Sequence, residues 1–236
     1  MKPHRFRGIV VAAAAIGAAC IANTAFAASL ELPEAAVSKN PWACGSEQAC
    51  FRRSAGLARR SGATLRIKAL NGKLVTFKDS PADCSPDEEA EPPVECPQYR
   101  LVAYVRGAMP YFLIKQTTDS VTHQVISARS GEEVHSRMGE AAFSPDGKRL
   151  VSFLSSGELA SFDMEIANLE TGKAQVEFIA DSDDQGASGR NGVLKGWTSN
   201  ASIEFTFVPN TDGEQRTVSA VAIRKNATWK IERKQP

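Results

Sequence analysis

The chain has 236 residues, with 28 Lys and Arg against 27 Asp and Glu, for a formal net charge of +1 at pH 7. A mixed-sign surface near neutrality lacks the positive field that draws nucleic acid or an anionic membrane, so both drop out as partners. The one long apolar run, residues 8–22, spans 15 residues, short of the ~20 that a membrane-crossing helix needs.

Lys2, Arg5 and Arg7 precede that run, and Ala25-Phe26-Ala27 follows it with a small-x-small pattern. Together they predict a secretory signal peptide over residues 1–27, cleaved after Ala27. A lipid anchor at Cys20 is the alternative, but Gly17-Ala18-Ala19 lacks the large aliphatic residue such signals carry. The leader holds three of the basic residues and none of the acidic ones, so the mature chain carries a net charge of −2. It keeps four cysteines, Cys44, Cys50, Cys84 and Cys96. An even number in an exported chain reads as disulfides, and sequence alone does not choose among the pairings. Short loops close at low entropic cost, which favours Cys44–Cys50 and Cys84–Cys96. Neither spacing is the CxxC that metal or redox roles use.

Residues 28–62 read as an irregular N-terminal segment with one or two helical turns near residues 46–60. From residue 63 to 236, β-branched and aromatic runs alternate with Gly, Asn, Asp and Ser, the signature of strands and turns. "TLRIKALNGKLVTF" predicts a hairpin, with Leu65, Ile67 and Ala69 on one face and Asn71-Gly72 as a two-residue type I′ turn. Residues 79–98 interrupt the pattern with five prolines and a run of acids. That composition predicts a surface insertion stapled by Cys84–Cys96. Strands then follow at 99–105, 111–116, 121–128, 133–136, 140–143, 149–154, 161–168, 174–179, 193–197, 202–208, 217–224 and 228–233.

A repeat lies within these strands. "QVISARSGEEVH" over "EIANLETGKAQV" puts Gly131 on Gly172 at an offset of 41. "AFSPDGKRLVSF" over "GWTSNASIEFTF" puts Phe143 on Trp197. Units of about 40 residues and four strands are the spacing of β-propeller blades. The stretch "FSPDGKRLVSFLSSGELASFDMEIANLETGK", residues 143–173, resembles the WD40-like repeat of TolB-type periplasmic propellers. The whole layout is also similar to exported proteobacterial proteins. These resemblances imply an all-β fold, a propeller-like array of three to four antiparallel blades, and an envelope location. They bring no activity with them. TolB-type propellers have six blades, so the shorter array here is open to being closed or incomplete.

Few residues suggest chemistry. A hairpin turning at residues 128–132 puts His123 and His135 nearly opposite each other, with Glu133 or Asp119 near, as weak metal candidates. Wet surface histidines are the plainer reading. Asp181, Asp183, Gln185 and Gly186 begin like a calcium loop, but Gly192 stands where the bidentate Glu belongs. No nucleophile or phosphate-cradling motif is present. The expectation is a periplasmic, non-enzymatic protein without a cofactor that binds another envelope protein. Secretion or lipid anchoring is the alternative location. Alternative functions are an inhibitor or immunity protein against a toxin or wall hydrolase, and a hydrolase using paired carboxylates.

Overall fold

The computed structural model describes residues 40–82, 84–85, 95–156, 161–180, 189–209 and 216–234. The signal-peptide reading lies outside the described residues.

The first element is a short helix, α1 (Glu47–Arg53). Ser46 caps it by accepting from the Ala49 amide, and Glu47 and Arg52/Arg53 sit at the ends the helix dipole favours. Cys44–Cys50 pins it to the preceding chain. Four antiparallel meanders follow. The first is β1 (Ala58–Ser61), β2 (Thr64–Lys68) and β3 (Leu74–Lys78). The second is β4 (Gln98–Val105), β5 (Tyr111–Thr117), β6 (Val121–Ser127) and β7 (Glu133–Met138). The third is β8 (Glu140–Phe143), β9 (Arg149–Ser156), β10 (Ser161–Asn168) and β11 (Gln175–Ala180). The fourth is β12 (Gly189–Ser199), β13 (Ser202–Pro209), β14 (Val218–Lys225) and β15 (Thr228–Arg233).

The sheets pack on their sequence neighbours, with one apolar layer between each pair. Leu65 and Ile67 of the first sheet meet Leu101, Phe112, Ile114 and Ile126 of the second, with Cys50 of α1. Ala103, Val105, Tyr111, Leu113 and Val125 turn the other way, onto Phe143, Leu150 and Leu169 of the third. Val151, Phe153, Phe162, Met164 and Ile166 then meet Trp197, Ile203, Phe205 and Phe207 of the fourth. The strand patterns record this layering. Tyr111 to Ile114 is a continuous buried run because β5 is covered on both faces. In β13 buried and half-buried residues alternate, since one face packs on the third sheet and the other is wetter.

Two local expectations are corrected. The segment before residue 63 is not only irregular and helical: Ala58–Ser61 forms the first strand and pairs with Thr64–Ile67. Its charges hid it, but Arg60 is spent on Glu47, Asp79 and the Tyr99 carbonyl. The Asn71-Gly72 turn is not a two-residue type I′ turn. Lys68 pairs with Leu74, so the loop has five residues, and of the two only Gly72 has positive φ. Tertiary contacts set that loop: Leu70 and Asn71 amides donate to the Ala128 and Arg129 carbonyls of the second sheet.

Gly139 carries the chain from the second sheet to the third. It has φ +93°, and a Cβ there would lie 2.3 Å from the Phe153 carbonyl oxygen. Only glycine permits so close a crossing.

Candidate functional site

The meanders send alternate turns to opposite ends of the sheets, and the two ends differ. At one end the turns are short and tied to each other. Ser144 accepts from the Arg149 amide (2.9 Å) and donates to Asp146 Oδ1 (2.6 Å), while Asp146 Oδ1 also accepts from the Lys148 amide. Gly147, φ +70°, completes this turn, and a Cβ there would strike Val105 at 2.4 Å. Trp42 Nε1 donates to the Ser144 carbonyl at 2.9 Å. The Asp146 amide donates to Asn200 Oδ1 of the next sheet, and the Leu169 amide to the Lys148 carbonyl. Tyr111 donates its hydroxyl to the Leu169 carbonyl at 2.5 Å. Across residues 69–73, 106–110, 128–132, 144–148, 169–174, 200–201 and 226–227 there are five basic and three acidic residues.

The opposite end receives the longer connections, residues 79–97, 118–120, 157–160, 181–188 and 210–217. Their sequence holds fourteen acidic residues and a single basic one, Arg216. Seven of the acids lie in 79–97, which Cys84–Cys96 closes into a loop. The segments between these strand ends are thus strongly acidic in sequence, and of their acids Asp79, Glu95 and Asp119 are among the described residues. Much of this end, including Asp181 and Asp183 of the calcium-loop reading, lies outside the described residues.

Just inside that end, a polar cluster bridges the second and third sheets. His123 and His135 are not opposite each other: His123 pairs with Arg137, and His135 with Val125. The bulge in β7, where Val134 is the extra residue, shifts the register. Nor are they wet. His123 is buried and its Nδ1–H donates to the Gly139 carbonyl at 2.6 Å. His135 faces Glu165, with Nε2 to Oε1 at 3.2 Å. Arg137 joins both acids of β10, reaching Glu165 Oε2 at 2.7 Å and Asp163 Oδ2 at 2.5 Å. Burial lowers the pKa of both histidines. For His123 the Gly139 carbonyl and Glu140 oppose that, and for His135 Glu165 opposes it and Arg137 adds to it. Among the described residues, no three His, Cys, Asp or Glu side chains converge to hold a metal ion.

A second polar centre, unforeseen from sequence, joins the third and fourth sheets. The β10–β11 register slips between Ile166–Phe178 and Ala167–Val176, leaving Glu177 as the bulged residue. The bulge turns its carboxylate inward. There it accepts from Arg149 Nε (2.9 Å), Asn168 Nδ2 (2.9 Å) and Trp229 Nε1 (3.0 Å). Burial alone would raise its pKa, but bonds from Arg149, Trp229 and Asn168 outweigh it and hold the value at about 2. The available signal was a lone Glu inside the apolar stretch "QVEFIA".

On the outer face of the fourth sheet, a shallow groove of about 320 Å³ is lined by Lys195, Glu204, Thr206, Ser219 and Lys234. Glu204, its single carboxylate, accepts from Lys234 Nζ at 2.5 Å. A glycosidase-like pair of carboxylates does not line it. Comparison with known proteins yields no matching family model, no matching curated protein and no matching solved structure.

Proposed function

We propose that this protein is an exported, protein-binding module of the cell envelope, a propeller-like array of four blades that docks a basic partner at its acidic end. The observation that carries the reading is the segregation of charge. In sequence, the segments that join the strands across one end hold fourteen acidic residues and one basic residue, while the turns of the other end are short and mildly basic. Long connections on a rigid scaffold are where binding function concentrates. A one-signed rim raises the encounter rate with an oppositely charged protein and sets its orientation. Two disulfides fit an oxidising compartment outside the cytosol.

The same charge favours a second, narrower reading, an inhibitor or immunity protein that plugs the basic cleft of a toxin or wall hydrolase. The loop closed by Cys84–Cys96 is then the element that enters the cleft.

Site-specific photocrosslinking in the producing cell tests the proposal. Probes at Ser85 and Thr118 report on the acidic end, and probes at Lys173 and Asn200 on the tied end. The expected result is a discrete adduct from the acidic end that weakens when Asp87, Glu88, Glu89 and Glu91 become Asn or Gln. Equal labelling at both ends, or adducts indifferent to that neutralisation, overturns it. Loss of the adduct under high salt, with retention of the fold, is also expected.

A further inference from the structure

We propose that the seam between the second and third sheets is an acid-released latch, with His135 as the group that takes the proton. The inference does not rest on the acidic-end reading. It starts from a polar cluster whose inner members, His135 and Glu165, are buried but incompletely bonded, while Arg137 and Asp163 are about a third exposed. Glu165 is 4% exposed and the His135 side chain 12%. Among the described residues, His135 Nε2, Glu165 Oε1 and Asp163 Oδ1 are buried with no hydrogen-bond partner. His135 Nε2 and Glu165 Oε1 stand 3.2 Å apart, close enough for charge attraction, yet out of line for a hydrogen bond. Orphaned polar atoms in a packed layer are rare and costly, so such a cluster is poised to rearrange.

The charges around it decide the direction. On β7, Arg137 already serves Glu165 Oε2 and Asp163 Oδ2. From β6, His123 stands opposite Arg137 in the ladder, with Lys115 of β5 opposite His123 and Glu140 of β8 within its field. From β9, opposite Glu165, comes only the uncharged Ser152. A proton on His135 Nε2 creates a buried cation beside Arg137, with Glu165 as its one attractive neighbour. The burial cost exceeds the attraction, so His135 holds its proton less tightly here than in water. By linkage, any state that frees the ring gains population as pH falls below 6.5. Opening the seam is such a state, and it releases Asp163 and Glu165 beneath the acidic end. Neither neighbouring layer holds a histidine among the described residues, and Glu177, held at about 2, stays ionised through this range, which confines the response to this seam.

Amide hydrogen exchange of the mature chain between pH 7.5 and 5.0, corrected for intrinsic rates, tests this. The expected result is selective loss of protection in Glu133–Met138 and Ser161–Asn168, with the opening constant rising by up to about tenfold per pH unit where one proton is taken up. His135→Gln abolishes the selective loss, and His123→Gln keeps it. A loss that survives in His135→Gln, a loss that vanishes in His123→Gln, or uniform loss over all four sheets overturns the proposal. If His135→Gln does not fold, the wild-type imidazole resonances decide: His135 must titrate below 6.5 and in step with the exchange. Titration at or above 6.5 overturns it.

Discussion

The two inner seams of this molecule use the same backbone device and different chemistry. Each has a one-residue bulge on the last strand of a sheet, Val134 on β7 and Glu177 on β11. At the first seam the bulged residue is apolar and packs into the layer with Leu113 and Phe143. The polar contacts fall to its neighbours His135 and Arg137, and they close imperfectly. At the second seam the bulged residue is the carboxylate itself, and the bulge delivers it to Arg149, Asn168 and Trp229 together. The lesson is that a bulge fixes where a side chain points, and the residue placed there decides whether a seam is locked or responsive.

The largest test breaks the locked seam. Glu177→Ala leaves Arg149, whose side chain is 8% exposed, as a buried cation without its carboxylate. The expected loss is about 3–5 kcal/mol, read from the urea midpoint. Glu165→Gln at the other seam costs less, about 1–2 kcal/mol, because Arg137 keeps Asp163 and one Glu165 oxygen has no bond to lose. Similar losses at both sites would erase the distinction.

Acid separates the seams by window. His123 and His135 have folded pKa values below their unfolded value. Their contribution is present above pH 6.5 and declines as pH falls below it. The Glu177 value is lowered from 4.5 to about 2, so its contribution is full above pH 4.5 and disappears as pH falls toward 2. Urea midpoints taken from pH 8 to 2.5 should show two falling steps. Replacing both histidines by Gln removes the upper step, and Glu177→Gln flattens the lower one.

Smaller effects sharpen the contrast with the tied end. Trp42→Phe keeps the ring packing and loses the bond to the Ser144 carbonyl, for a cost of about 1 kcal/mol. Asn200→Ala removes one exposed bond to the Asp146 amide and should cost about 0.5 kcal/mol. Thermal melts resolve the first, and neither change should move the acid steps.

The strands after residue 63 were legible in the sequence, which also favoured both disulfide pairs through short loop closure and offered Gly131 and Gly172 as equivalent turns. Both do have positive φ. Those features are local: period-two burial, turn chemistry and short loop closure act within a few residues. The sequence also placed His123 and His135 on adjacent strands, but nearly opposite each other and on a wet face, where the ladder sets them two residues apart and buries them. Packing between sheets set the rest: that Val134 and Glu177 bulge, that His135 meets Glu165 across a seam, and that Ala58–Ser61 becomes a strand. Each depends on how one sheet stacks on the next. A one-residue slip in that stacking exchanges the faces of a strand, and no local pattern records it.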